Sequence, residues 1–173
     1  MKSRLTTSSL LRCSALILLA TGLLGPTADL EAQSQPMALQ VGAAYFAVGG
    51  EEDETAALEL TYRPDRLRRW RVGARFGGML TARGAGYGYG GIELPLAVTD
   101  RTTLTPSLGA GAYRRGDGPD LGSTLEFRSG IDLSRSLAGG HQISLFLYHL
   151  SNASLGERNP GVEVLGIGYA ISW

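Results

Sequence analysis

The sequence predicts an all-β protein built as one eight-stranded antiparallel transmembrane up-and-down barrel. Three observations carry that prediction. Apolar and polar side chains alternate with a period of two through most of the chain after Gln33, and no window there shows helical spacing. Turn-forming clusters divide the alternating chain into eight runs of roughly 9–13 residues, near the length of a tilted strand crossing a bilayer. An export-type leader precedes them.

The leader reads from the residues directly. Lys2, Arg4 and Arg12 precede the apolar run "ALILLATGLLG", which is too short to span a bilayer, and small residues suited to cleavage follow in "PTADLEA". The expected organisation is a cleaved signal peptide over 1–32 and a barrel domain over 33–173, with cleavage after Ala32 and Ala28 as the alternative. Cys13, the one cysteine, lies in the leader, so the mature chain is expected to hold neither a disulfide framework nor a thiolate metal site. Removing Lys2, Arg4 and Arg12 leaves 13 of the 16 basic side chains, and removing Asp29 and Glu31 leaves 14 of the 16 acidic ones. The resulting balance near −1 argues against a nucleic-acid binder.

The strands follow in order. The first is expected over 37–48, closed by the turn cluster "GGEEDET". The second, 55–63, carries Leu58, Leu60 and Tyr62 on one parity and ends in "RPDRLRR". The third, 69–81, places Trp70, Val72 and Phe76 opposite Arg71 and Arg75 before "TARGAG". The fourth, 86–98, alternates Ile92, Leu94, Leu96 and Val98 and turns through "TD". The fifth, 101–113, holds Leu104 and Leu108 and ends in "RRGDGPD". The sixth, 121–133, sets Leu125, Phe127 and Ile131 against Glu126, Arg128 and Asp132, and "SRSLAGG" follows. The seventh, 141–151, contributes Leu145 and Leu147, and "NASLGERNP" leads to the eighth, 161–173, with Leu165 and Ile167. The chain ends in Tyr169, Ile171 and Trp173 on one face, a terminal aromatic pattern that resembles the last strand of bacterial outer-membrane proteins.

A soluble barrel would bury the apolar set and expose the charges. The export signal and the glycines opposite the apolar face favour the reverse: apolar side chains toward lipid, with charges of both signs pairing inside a narrow lumen. Tyr87 and Tyr89 of "GAGYGYGG" then point inward. That run opens no helix, so it is expected to serve close packing rather than nucleotide binding. With both termini in the periplasm, "GGEEDET", "RRGDGPD" and "NASLGERNP" become external loops.

The stretch "YHLSNASLGERNPGVEV", Tyr148 to Val164, breaks the apolar pattern. His149 and Ser151 share the outward face of the seventh strand. With a turn centred near Gly156, Glu163 falls opposite His149, within hydrogen-bonding reach. Nucleophilic chemistry needs this trio: Ser151 to attack, His149 to take its proton, and Glu163 to orient the imidazole. Asn152 is the expected donor to the oxyanion, together with loop backbone N–H groups. Such a site faces sideways into the outer leaflet, where its natural substrate is a lipid ester.

On "HLSNASLGERNPGVEVLGIGYAISW", supported by "LEFRSGIDL" and the eight-strand layout, the sequence resembles the outer-membrane lipid A 3-O-deacylase (PagL) family, a group related to acyloxyacyl hydrolases. The family's His-x-Ser-Asn matches His149, Ser151 and Asn152, and its glutamate twelve residues beyond the serine matches Glu163. The resemblance implies hydrolysis of the 3-O-linked hydroxyacyl ester of lipid A, with lipopolysaccharide as partner and no metal or other cofactor. Ser154 departs from the glycine frequent at that place in the family, which bears on the oxyanion site if its backbone lines it.

Arg83, Arg114, Arg115 and Arg158 fall in external loops and are candidate contacts to lipid A phosphates. His141, at the other end of the seventh strand with no Ser or acid at matching spacing, is expected to be an interfacial residue. The acidic "EEDE" run reads as a solvated loop. Two other readings stand beside the esterase: a catalytically silent structural or adhesive barrel, and a barrel that transfers an acyl chain. The sequence leaves monomer and homodimer open.

Overall fold

The computed structural model describes residues 37–48, 53–64 and 72–173; the expected leader, Trp70 and Arg71 lie outside the described residues. Alternation of side chains is realised as strands β1 (Ala38–Phe46), β2 (Thr55–Arg63), β3 (Gly73–Thr81), β4 (Gly86–Glu93), β5 (Leu96–Thr99), β6 (Thr102–Arg114), β7 (Leu125–Ser136), β8 (His141–Ser151) and β9 (Val162–Ser172). Every neighbouring pair is antiparallel. β1 pairs with β9 and β4 with β6, so the sheet closes on itself. The Trp173 N–H donates to the Met37 carbonyl at 3.0 Å beside that seam.

β4 and β5 both run along β6 and are separated only by Leu94 and Pro95, so they are two segments of one wall position and the barrel has eight staves. The sequence predicts one unbroken strand over 86–98. Proline has no N–H to give the ladder, and the strand breaks there. The Leu94 N–H still reaches the Pro106 carbonyl at 3.0 Å, which keeps the segments in line. β7 starts at Leu125 rather than at 121. Gly122 has φ +87°, and Leu121 turns inward to be buried at the barrel mouth.

Parity sorts the side chains as the alternation predicts. Leu58, Leu60, Phe76, Ile92, Leu108 and Ile131 are exposed on the outer face. Glu59, Arg75, Glu93, Glu126, Arg128 and Asp132 are buried inside, with Tyr87 and Tyr89. The interior charges largely pair. Arg75 donates to both Asp132 carboxylate oxygens, at 2.6 and 3.2 Å, and Arg63 donates to Glu93 at 3.0 Å and to Gln40 at 2.9 Å. Arg128 lies 3.9 Å from the centre of the Tyr148 ring and bonds Ser107 at 2.8 Å. Glu126 departs from the expected pairing. Its carboxylate oxygens have no hydrogen-bond partner among the described residues, because Arg128 directs its guanidinium onto Tyr148.

One end of the barrel holds Phe46 and Thr55, the ends of β1 and β2, with the connections 82–85, 115–124 and 152–161, and the other holds Arg63 and Gly73 with the connections 100–101 and 137–140. His141 lies at this second end, where its Nδ1 meets the Tyr169 hydroxyl at 2.8 Å on the outer face. The candidate site lies at the end with the longer loops.

Candidate functional site

The β8–β9 hairpin builds the site. His149 and Glu163 are direct partners in its register, the pairing that a turn centred near Gly156 predicts. Both project outward, below the loops and above Leu147, Leu145, Leu165 and Ile167 on the same wall. The His149 Nδ1 lies 3.1 Å from a Glu163 carboxylate oxygen. A carboxylate accepts, so Nδ1 carries the proton and the Nε2 lone pair is left to act as a base. The two side chains are partly exposed, 42% and 54%, which puts the pair at the surface rather than in the lumen.

Ser151 closes β8 on the same face, opposite Phe127 of β7. Its Cα lies about 6–7 Å from that of His149, as i and i+2 positions on a strand do. The Ser151 hydroxyl makes no hydrogen bond to His149 here. Catalytic hydrogen bonds are often long or unmade in the absence of substrate.

Asn152 begins the loop and turns inward to full burial. Its Nδ2 donates to the Leu121 carbonyl at 2.9 Å and to the Arg158 carbonyl at 2.6 Å, so both amide hydrogens are engaged. Its Oδ1 accepts the Ser154 N–H at 2.9 Å, and its own N–H donates to the Asn159 Oδ1 at 3.0 Å. This differs from the expectation that the Asn152 side chain donates to an oxyanion. A side chain with both donors committed organises the loop instead, tying 115–124 to 152–161. The Leu155 N–H bonds the Asn152 carbonyl at 3.0 Å around Ala153 (φ +53°) and Ser154 (φ +63°), so both central residues of the turn are left-handed. That geometry explains why glycine suits position 154. The Ala153 N–H has no hydrogen-bond partner among the described residues.

The four candidate phosphate contacts all occupy the loop end. Arg158 bonds Asp120 at 2.7 Å, Arg115 lies 3.8 Å from the same carboxylate, and Arg83 lies 3.9 Å from Asp53. Arg114 reaches the Gly84 carbonyl at 3.5 Å. The Gly122 N–H, and then Arg158 and Arg115, hold the Asp120 carboxyl below the usual carboxylate range. Sequence reasoning named the arginines but missed Asp120, whose local signal was the Asp-Leu-Gly turn. A cavity of about 450 Å³ opens among these loops, with Asp53, Asp120, Arg158, Gly161 and Glu163 in its lining. Further along the wall, toward the His141 end, lies an apolar groove of about 800 Å³ that includes Ile143, Leu145, Ile167 and Tyr169 and is not lined by His149, Ser151 or Glu163. No group of His, Cys, Asp and Glu among the described residues is arranged to hold a metal ion.

Comparison with known proteins agrees with this architecture. Residues 54–172 match the family model described as lipid A 3-O-deacylase (PagL). No protein among the curated ones matches the chain. Among solved structures, the outer membrane enzyme PagL is 22% identical, with a TM-score of 0.59 over 78% of this chain and 99% of that one. A de novo designed transmembrane β-barrel is 10% identical, with a TM-score of 0.57 over 82% and 100% of the two chains. Neisserial surface protein A (NspA) is 9% identical, with a TM-score of 0.56 over 79% and 97%. At these identities the three likenesses show the fold.

Proposed function

The chain belongs to the lipid A 3-O-deacylase (PagL) family, and from that premise we propose that it is a serine esterase of the bacterial outer membrane that hydrolyses the 3-O-linked hydroxyacyl chain of lipid A. The observation that carries the reading is the outward His149–Glu163 pair at 3.1 Å, its histidine two residues from Ser151, on a wall otherwise built for lipid.

The reaction runs through these three side chains and the backbone of the adjoining turn. The Ser151 Oγ attacks the ester carbonyl as His149 Nε2 takes its proton, and Glu163 stabilises the imidazolium that forms. The negative charge on the tetrahedral oxygen is met by backbone N–H groups of the turn, Ala153 foremost, since the Asn152 amide is spent on the Leu121 and Arg158 carbonyls. Collapse expels the sugar hydroxyl, which takes the proton back from His149. Water then enters by the same base, releases the hydroxy fatty acid and restores Ser151.

Substrate placement follows from the surface. The outward Leu145, Leu147, Leu165 and Ile167 beneath the site offer acyl chains an apolar surface. Arg83, Arg114, Arg115 and Arg158 sit at the headgroup level, where a phosphate can replace Asp53 as the partner of Arg83 and Asp120 as that of Arg115 and Arg158. A signal peptide over 1–32 and periplasmic termini complete the reading and put the site in the outer leaflet.

Purified protein in detergent should release free 3-hydroxy fatty acid from lipid A. Ser151→Ala and His149→Ala should each abolish release while the heat-modifiable migration of a folded barrel stays intact. Full activity in Ser151→Ala would refute the assignment of the nucleophile.

A further inference from the structure

The His149 ring rests against a residue that no catalytic role covers. Gly161, after Pro160 in the loop that leads into β9, has φ +66°. A side chain there would begin with a Cβ 2.5 Å from His149 Cε1 and 2.9 Å from Nε2, and 3.2 Å from the Leu150 carbonyl oxygen. The imidazole edge bearing the basic nitrogen therefore occupies the space that any other residue at 161 would fill. Nδ1, the ring atom next to Cε1, is held by Glu163, which accepts from it at 3.1 Å.

We propose that Gly161 is a positioning residue for His149: its missing side chain forms the berth in which the imidazole lies, with Nδ1 on Glu163 and Nε2 free to swing to Ser151. The inference rests on His149 being the base. Two contacts set where the ring lies, a hydrogen bond at Nδ1 and a backbone surface along the adjoining Cε1–Nε2 edge. A Cβ at 161 pushes the ring along the wall or off Glu163, and Nε2 loses the approach to the serine. Substrate contacts at the loop arginines and the apolar wall beneath the site stay in place, so the loss belongs to kcat rather than KM.

Any non-glycine residue at φ +66° also strains the backbone, and a control separates strain from contact. Gly84 has φ +75° in another loop at the same end, and a Cβ there meets nothing within 4 Å. Gly161→Ala should migrate as a folded barrel and lose about tenfold or more in kcat with KM little changed, in line with small displacements of a catalytic group. Gly84→Ala should keep the parent's kcat. In the parent, ring-proton NMR in detergent should show a cross-peak between the His149 Hε1 and the Gly161 Hα protons. A folded Gly161→Ala enzyme with the parent's kcat, an equal loss in Gly84→Ala, or absence of the cross-peak would each overturn the proposal. If Gly161→Ala does not fold, the parent cross-peak decides. A parent that releases no fatty acid sinks the esterase reading instead, while the cross-peak still reports on the berth.

Discussion

At the scale of single residues, the proposed site is His149 and Glu163 joined by a hydrogen bond, with Ser151 two residues beyond the histidine on the same face. Glu163 fixes the tautomer of His149, so replacing it with an amide removes both the orientation and the stabilisation of the imidazolium. Glu163→Gln should lower kcat by about a thousandfold or more, with KM for lipid A nearly unchanged, by analogy with the loss of the acid in other serine triads. Parity and loop length made this pairing legible, because an antiparallel hairpin of known turn centre fixes which residues face each other. The fate of Asn152 was not legible. Its partners, the Leu121 and Arg158 carbonyls, come from two different loops, and no local pattern announces that both amide hydrogens are taken. Ser154 was visible as a departure from glycine, and its φ of +63° supplies the physical reason. Ser154→Gly should stabilise the barrel by about 1 kcal/mol, read as a shift in thermal or denaturant unfolding.

At the scale of elements, two loops are stitched over the barrel mouth by Asn152 and by the Asp120–Arg158 pair. Asn152→Ala would leave the Leu121 and Arg158 carbonyls without their donor, at about 1–3 kcal/mol for a buried unsatisfied group. Limited proteolysis should then cut within 152–161 faster than in the parent. The Asp120 contact has a defined pH window. Because its folded carboxyl titrates below the ordinary value of about 3.9, the contact is fully present above that value and is lost as pH falls through the lower folded value. Hydrogen exchange in 115–124 should therefore be no faster at pH 5 than expected from chemistry alone, and should accelerate only below about pH 4. The strands were more legible than the loops, since alternation is a local property. The break at Pro95 was missed although the proline itself was the local signal, whereas the late start of β7 depended on Leu121 finding a buried place at the mouth, a tertiary event.

At the scale of the whole molecule, a narrow lumen packed with paired charges supports a wall on which catalysis can be placed. Arg75 anchors that interior through its two bonds to Asp132. Arg75→Met should destabilise the barrel by about 3–5 kcal/mol by leaving Asp132 without its closest cation, seen as loss of heat-modifiable migration at lower temperature. The inward or outward sense of each charge was readable from parity, but not the partner, because pairing runs across the lumen between strands far apart in sequence. Glu126 shows the limit: its sign and burial were predictable, and its isolation was not. The account's central claim is that this barrel removes one acyl chain from lipid A through Ser151. Mass spectrometry of lipid A after incubation with the purified protein, beside its Ser151→Ala variant, tests it most directly. The account predicts loss of a single hydroxyacyl chain, the one esterified at position 3, with the parent alone. Lipid A of unchanged mass after incubation with a demonstrably folded parent, or the same loss with Ser151→Ala, would contradict it.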